Sequence, residues 1–329
     1  MTYLLIGDLH LTDKPRDAYR FKIFPWIRQM IVDHKVTTTI IMGDLTDQKD
    51  KHSAKLVRAI TDGFLSLYDE MDYHQNTTYI LKGNHDYIDP VNPFFNFLNY
   101  LPGVTFVSEP TALVDSIFAI PHTRSEDDFI AACKQGKDYE YLFIHQTITG
   151  AVSESGAALS GFSPSAFLPW AKVYAGDIHK PQTIGQVTYV GSPYSIRFGD
   201  NFTPRCILLG DKEKNLYFDC PRKWGLILRS PDDLLNNKDL IAGDQVKLTF
   251  DLTKEEMVDW KVFKLQALAN CKKLGLEVFG VGVMPKEETR KATEKIGKNN
   301  SDVLVQFCNK EKVGSKIRDV GNSILECSS

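Results

Sequence analysis

The sequence predicts an α/β protein, with a large layered domain followed by a smaller α+β module. Over the first 210 residues, short apolar or β-branched runs alternate with helix-length segments, a pattern typical of strands buried on both faces of a sheet. The 329 residues also exceed the ~100 to 200 of a typical domain, which favours one large domain and a smaller one. The predicted strands are Tyr3 to Ile6, Thr38 to Met42, Thr78 to Leu81, Ile117 to Ile120, Tyr141 to Ile144 and Val173 to Ala175.

Two segments between these strands have the apolar spacing of helices. They cover residues 21–32 and 53–68. The stripe on the second helix consists of Ala54, Val57, Ile60, Phe64 and Leu67. A stripe of this kind predicts a helix that packs on a core. The aromatic run at residues 94–98 fits either the core or a dimer face.

The pattern changes near Gly210. Residues 245–250, 254–273 and 277–283 predict a strand, a helix and a strand, and apolar positions over 301–325 predict two short terminal helices. We therefore expect three parts: residues 1–210, a capping module at 211–298, and a helical segment at 299–329.

Composition excludes several classes of protein. With 43% hydrophobic and 25% charged residues the chain is globular rather than disordered, and no apolar run approaches the ~18 residues of a membrane span. We expect a cytoplasmic protein without membrane contact. The six scattered cysteines contain no Cys-x-x-Cys pair, which argues against a disulfide framework and a thiolate metal site. The net charge of −3 gives no strongly basic nucleic-acid footprint.

Polar residues of ligand type follow the predicted strands directly. Open α/β sheets build their sites at the carboxyl ends of strands, so we expect these side chains to meet. A single Asp-x-His is weak evidence for a metal, but an ordered series behind successive strands is difficult to explain by coincidence. The series is Asp8 and His10, then Asp44, then Asn84 and His85, then His145, then Asp177 and His179.

This mixture of ligands suits two divalent ions. Two ions about 3.5 to 4 Å apart require a bridging carboxylate, and Asp44 is the natural candidate. Nitrogen and oxygen ligands without thiolate favour manganese, iron or zinc, whereas several imidazoles argue against magnesium alone. Bridging ions also acidify a shared water, which predicts direct hydrolysis at phosphorus without a serine or cysteine nucleophile.

The motifs as a set resemble the calcineurin-like metallophosphoesterase superfamily. The resemblance implies a central β-sandwich flanked by helices. Three stretches, residues 144–146, 176–182 and 189–194 leading to 198–200, are more specifically similar to SbcD-type DNA exonuclease subunits, including the small recombination endonuclease subunits of phages. The superfamily motifs are Asp8-Leu9-His10, Gly43-Asp44-Leu45-Thr46-Asp47, Gly83-Asn84-His85-Asp86, His145 and Gly176-Asp177-Ile178-His179.

The resemblance implies a role for each motif residue. One metal would be held by Asp8, His10, Asp44 and His179, and the other by Asp44, Asn84, His145 and Asp177. His85 would contact the phosphate and the leaving oxygen without binding metal, and Asp86 would orient it.

Some positions depart from the pattern or stay open. Asp177 stands where SbcD-like chains usually have histidine, which adds a negative charge and can alter metal preference. Asp47 is expected to cap the following segment and His122 to lie on the surface. Arg197 can contact a phosphate or form a structural salt bridge, and both interpretations stay open.

The function implied is a manganese-dependent DNA nuclease, exonuclease or endonuclease, that works in recombination, repair or replication. Its implied partners are DNA, an SbcC-like coiled-coil ATPase that grips the C-terminal helices, and a second copy in a homodimer. The alternative is a phosphoesterase acting on phosphoproteins, nucleotides or other small esters, because a two-metal core does not choose a leaving group. A metal-free scaffold is disfavoured, since every ligand type is present.

Overall fold

A computed structural model describes residues 1–68, 75–114, 116–253 and 255–285. The chain divides into two compact units, the first formed by Met1–Asp251 and Val258–Val283, the second by Leu252–Met257 and Met284–Ser329. The candidate site lies in the first unit. The predicted terminal helices at 301–325 lie outside the described residues, and the predicted boundaries at 210 and 298 stay predictions.

The first of two six-stranded sheets carries the N-terminal strands. Its members are β1 (Tyr3–Ile6), β2 (Thr38–Ile41), β3 (Thr77–Leu81), β4 (Val104–Val107), β11 (Cys206–Leu209) and β12 (Glu213–Leu216). The order is β12-β11-β1-β2-β3-β4. Strands β1 to β4 are parallel, whereas β11 runs antiparallel to β1 and β12 antiparallel to β11. The ends of β1, β2 and β3 therefore share one edge.

The second sheet continues the chain between β4 and β11. Its members are β5 (Thr111–Val114), β6 (Ile117–Ile120), β7 (Tyr141–His145), β8 (Lys172–Gly176), β9 (Gln182–Ile184) and β10 (Val187–Tyr189). The order is β5-β6-β7-β8-β10-β9, with β6, β7, β8 and β10 parallel. All six predicted strands are confirmed, with ends shifted by at most one residue.

An apolar core lies between the two sheets, and each sheet has a helix-covered outer core. Leu5 and Ile40 of the first sheet share the inner core with Phe143 and Tyr174 of the second. Outside the first sheet pack α1 (Ile23–His34) and α2 (Ala54–Leu65), and outside the second packs α3 (Glu126–Gly136). The predicted α/β layered fold with a central sandwich is therefore confirmed.

The buried stripe predicted for residues 53–68 differs from the structure at two positions. Ile60, Phe64 and Leu67 are buried as predicted, but Val57 is only half-buried, and Ala54 is exposed while Leu56 is buried instead. Leu56 lies four residues before Ile60, so it continues the row that faces the core.

A three-stranded sheet follows. It contains β13 (Lys223–Leu228), β14 (Gln245–Leu252) and β15 (Glu277–Pro285), in that order, with helices α4 (Asp233–Asn236) and α5 (Trp260–Leu274) between them. The predicted strand-helix-strand module is confirmed, but the sequence patterns missed β13. Short 3₁₀ helices cover Pro15–Lys22, Phe94–Tyr100, Pro164–Phe167 and Glu256–Asp259.

The aromatic run at residues 94–98 belongs to the core. Phe95 and Leu98 are buried against the first sheet, and Phe94 and Phe97 pack partly buried beside them. Its apolar side chains therefore pack against other residues of the same chain. Within the described ranges, no helix is both long and apolar enough to span a membrane.

Candidate metal centre

The predicted ligand residues meet where the parallel strands of both sheets end. Asp8 and His10 follow β1, Asp44 follows β2 and Asn84 follows β3, while His145 ends β7 and Asp177 and His179 follow β8. The short distances below join side chains from these separate loops. The residues that the sequence singled out therefore lie together in the structure, because parallel strands end at a common edge.

Three of these residues have a left-handed backbone. The φ angles are 41° at His10, 52° at Asp44 and 85° at Asp177. Such conformations are uncommon outside glycine, cost free energy and concentrate at functional sites. Gly43, at φ 112°, precedes Asp44, and a Cβ there would lie 2.2 Å from Nδ1 of His145. The backbone of these loops therefore positions the side chains of the site at a cost in local stability.

Asp44 lies between two imidazoles. Its Oδ2 is 3.5 Å from Nε2 of His10, and its Oδ1 is 3.4 Å from Nε2 of His145. The carboxyl group is buried, and burial raises its pKa, helped by the nearby Asp86 and Asp8 and opposed by His145. One carboxylate facing two separate nitrogen donors has the arrangement that a bridging ligand requires.

His10 and His179 face each other through their Nε2 atoms, which are 3.0 Å apart. Burial lowers the pKa of each to about 4, so both rings are neutral near pH 7. On the far side of each ring lies a carboxylate: Asp47 Oδ1 is 3.2 Å from Nδ1 of His10, and Glu154 Oε1 is 3.3 Å from Nδ1 of His179. A carboxylate at Nδ1 favours the tautomer that leaves the Nε2 lone pair free.

His145 has the opposite electrostatic environment. Burial opposes its charge, but the carboxylates of Asp44, Asp8 and Asp177 outweigh burial and raise its pKa to about 9. Its Nδ1 is 2.6 Å from the backbone carbonyl of Met42, which directs Nε2 toward the carboxylates. A positive charge is thus favoured at this point of the centre.

Asp177 makes hydrogen bonds with both carboxylate oxygens. Its Oδ1 accepts from Nδ2 of Asn84 at 2.8 Å, its Oδ2 accepts from the Thr147 hydroxyl, and its backbone N–H donates to Oδ1 of Asp8 at 2.9 Å. The bond from Asn84 fixes the amide, so that its Oδ1 points away from Asp177. Oδ1 of Asp177 is also 3.9 Å from Nε2 of His145. The aspartate therefore belongs to the same cluster as the other predicted ligands.

Several buried polar side-chain atoms in this cluster have no hydrogen-bond partner among the described residues. Among them are Oδ2 of Asp8, Oδ1 of Asn84 and Nε2 of His145. Suitable ligand atoms of Asp8, Asp44 and His145 all lie within 4.8 Å of one another. Leaving buried polar atoms unpaired is costly, and divalent cations would satisfy the two oxygens and, in place of a proton, Nε2 of His145. The donor set therefore fits a metal centre.

His85 and Asp86 do not form the pair that was predicted. Nδ1 of His85 is 2.9 Å from the backbone carbonyl of Asp47, so that carbonyl orients the ring. Asp86 instead accepts backbone N–H bonds from Gly83 at 2.7 Å and from Asp44 and Leu45 at 2.9 Å each. Asp86 therefore joins the loops after β2 and β3, and the expectation that it orients His85 is corrected.

The sequence patterns missed three neighbours of the centre. Asp47 was expected to cap the next helix, but Ser53 caps α2 and Asp47 contacts His10. His122 was expected on the surface, yet it is half-buried, with its ring centroid 6.1 Å from that of His145. Glu154 has no motif of its own in the sequence. Of these three residues, only Asp47 belongs to a sequence motif, as the second aspartate of Gly-Asp-x-x-Asp.

The chain is similar to several known proteins. A family model described as calcineurin-like phosphoesterase matches residues 1–181. The chain is similar to exonuclease subunit 1 of Enterobacteria phage T4, with 24% identity over 236 residues that cover 65% of each chain. Among solved structures, a dimetal phosphatase from Danio rerio aligns with 11% identity and a TM-score of 0.27, over 55% of this chain and 70% of that one.

Proposed function

The chain belongs to the calcineurin-like phosphoesterase family, and from that premise we propose that it is a two-metal-dependent DNA nuclease subunit. Family membership implies a hydrolase that acts on phosphate esters. That the substrate is DNA is a more specific proposal than phosphate esters in general. It is supported by the SbcD-like stretches between residues 144 and 200 and by the phage exonuclease subunit among the relatives.

One observation carries the proposal. The two carboxylate oxygens of Asp44 lie 3.4 Å and 3.5 Å from imidazole nitrogens of His145 and His10, within a cluster where several buried polar atoms have no hydrogen-bond partner among the described residues. No serine or cysteine nucleophile is needed for hydrolysis at such a centre.

We assign the two metal positions as follows. One ion would be held by Asp8, His10, Asp44 and His179, and the other by Asp44, Asn84, His145 and Asp177. Histidine nitrogen together with carboxylate and amide oxygen favours manganese, iron or zinc, and of these we propose manganese. When bound, the two ions would supply charge stabilisation and activation of the attacking water.

The remaining residues of the centre would contact the substrate or keep the ligand side chains and their loops in position. His85 is half-buried, and its Nδ1 is held by the Asp47 carbonyl, so Nε2 is the atom available to a substrate phosphate or to the leaving oxygen. Asp86 keeps the two loops in register through three backbone bonds. Asp47 and Glu154 lie 3.2 Å and 3.3 Å from the Nδ1 atoms of His10 and His179, where they would help to orient the two rings.

Partners of the subunit follow from the same proposal. They are DNA, an SbcC-like coiled-coil ATPase bound through residues 299–329, and a second copy of this chain. The cytoplasm is the compartment that suits such an assembly. Deleting residues from Asn300 onward should abolish ATPase binding while the isolated subunit keeps its manganese-dependent activity.

A substrate comparison tests the proposal. Purified protein with manganese should degrade linear duplex DNA, and an excess of EDTA should abolish the activity. Rapid hydrolysis of a nitrophenyl phosphate ester or a cyclic nucleotide with no DNA cleavage would favour the alternative, a phosphoesterase for small substrates. DNA hydrolysis that persists after complete metal removal would exclude the two-metal mechanism.

A further inference from the structure

A basic pocket adjoins the metal centre. This cavity of about 250 Å³ lies between the 3₁₀ segment that begins at Pro15, the loop after β10, and the start of β13. Its charged lining consists of Lys14, Arg16, Asp17, Arg20, Asp47, Arg197 and Lys223. Five cations thus face two carboxylates, although residues 1–205 as a whole carry a net charge of −5.

The floor of the basic pocket is internally neutralised. Lys223 donates to Asp17 at 2.6 Å, and both side chains are buried. Arg20 is also buried and donates to the carbonyls of His10 and Ile196. These groups hold the pocket together and connect it to the metal centre, and each already binds partners within the chain.

The rim of the pocket carries exposed cations that carboxylates do not fully neutralise. Lys14 is half-exposed and lies 3.9 Å from Asp47, whose other contact is His10. Arg16 is similarly exposed and lies 3.7 Å from Asp17, which already pairs with Lys223. The Arg197 side chain is exposed and makes no hydrogen bond or ion pair with any other described residue. Positive charge on the rim is therefore available to an anion from solvent.

An aromatic pair borders the same rim. The rings of Phe198 and Phe279 are 5.7 Å apart, and Phe279 is 37% exposed. Phe198 lines the pocket, and Nζ of Lys223 is 5.8 Å from its ring. Exposed aromatic rings beside cations are the combination with which proteins bind unpaired nucleic-acid strands, stacking bases while the cations hold the backbone.

We infer that the basic pocket is a subsite for a single strand of nucleic acid: it binds one backbone phosphate beside the phosphodiester at the metal centre. Lys14 and Arg197 contact that phosphate, and the adjoining base stacks on Phe198 and Phe279. The inference rests on the proposed nuclease function and narrows it, because a small phosphate ester would leave the pocket and the aromatic pair unused.

Binding without catalysis tests the subsite. The double variant Lys14→Gln/Arg197→Gln should bind a fluorescein-labelled oligothymidylate in EDTA about tenfold more weakly than the wild type, by fluorescence anisotropy. The slope of log affinity against log salt should fall by about 0.7, the value for one phosphate contact on a single strand. Phe279→Leu should also weaken binding about tenfold, because a stacking platform is lost.

A matched control removes the same two charges elsewhere. Arg58 on α2 and Lys134 on α3 are exposed and do not line the basic pocket, so Arg58→Gln/Lys134→Gln should keep the wild-type affinity and salt slope. A pocket variant that behaves like this control would overturn the inference, as would a wild-type protein that does not bind the oligonucleotide.

Turnover with manganese separates the two proposals. The ratio of kcat/KM for the oligonucleotide to kcat/KM for bis(nitrophenyl) phosphate should fall about tenfold in the pocket variant. A wild-type protein that cleaves DNA while the ratio stays constant would refute the subsite alone. If the wild type cleaves no DNA but the pocket variant still binds the strand more weakly, the nuclease proposal fails and the binding site stands.

Discussion

The metal centre and the basic pocket adjoin at Asp47, yet they are built in opposite ways. The centre is buried and rich in carboxylates, and its side chains come from the ends of parallel strands. The pocket has exposed cations on its rim, contributed by two loops and a 3₁₀ helix, and beneath them Asp17 pairs with Lys223 of the third sheet. The difference teaches that net charge is a poor guide to binding when charges of opposite sign are sorted into neighbouring sites.

A second contrast lies within the centre. Burial lowers the pKa of His10 and His179 to about 4, whereas surrounding carboxylates raise that of His145 to about 9. The three rings have the same chemistry and similar burial. Their environments differ because burial outweighs the carboxylates near His10 and His179, whereas Asp44, Asp8 and Asp177 together outweigh burial at His145.

The largest effect is expected from removing the proposed bridge. Asp44→Asn keeps the size of the side chain and a residue type that tolerates a left-handed backbone, but removes its charge. The variant should lose both manganese ions in calorimetry and all detectable turnover, while oligonucleotide binding at the basic pocket persists. Two bound ions in the folded variant would mean that another residue bridges.

The next effect concerns His85, which we propose contacts the substrate without holding metal. His85→Gln should retain both ions and lose turnover by ~10² to 10⁴, the range for acid-base or charge-stabilising groups. Calorimetry and steady-state kinetics on the same preparation measure the two properties. Loss of metal binding would instead make His85 a ligand.

A smaller effect is expected from Glu154, which contacts the proposed ligand His179 without being a ligand itself. Glu154→Gln removes the carboxylate at Nδ1 of His179 and should weaken manganese binding by ~10- to 100-fold. Competition with a fluorescent chelator measures the affinity. Glu126→Gln, an exposed change on α3, is the matched control. Equal affinities in the two variants would show that the Glu154 contact does not support the ligand.

The smallest effect concerns the ion pair beneath the basic pocket. Burial opposes ionisation of Asp17, but Arg20 and Lys223 outweigh it and lower its pKa below the usual 3.8. A lowered folded-state pKa stabilises the protein above the unfolded pKa, and this contribution is lost as the pH falls below about 3.8.

Asp17→Asn should therefore be less stable near neutral pH and lose less free energy of unfolding on acidification than the wild type. Urea unfolding of the metal-free proteins at about pH 6 and about pH 3 measures the difference. Parallel pH profiles for the two proteins would show that the pair contributes no pH-dependent stability.

The sequence by itself predicted six of the strands in the two large sheets and singled out residues that meet in the structure. Asp8, Asp44 and His145 could be predicted because apolar runs mark buried strands and the carboxyl ends of parallel strands share an edge. The other motif residues, including Asp177, also follow predicted strands and could be singled out for the same reason.

Only the tertiary structure decided which groups surround those residues. Glu154 meets His179, and Lys223 meets Asp17 across 206 positions of sequence, with no periodicity that could announce either contact. Asp86 proved to join two loops rather than to orient His85. Secondary structure follows from local patterns, whereas side chains on loops take their partners from how distant segments pack, and neither spacing nor composition encodes that packing.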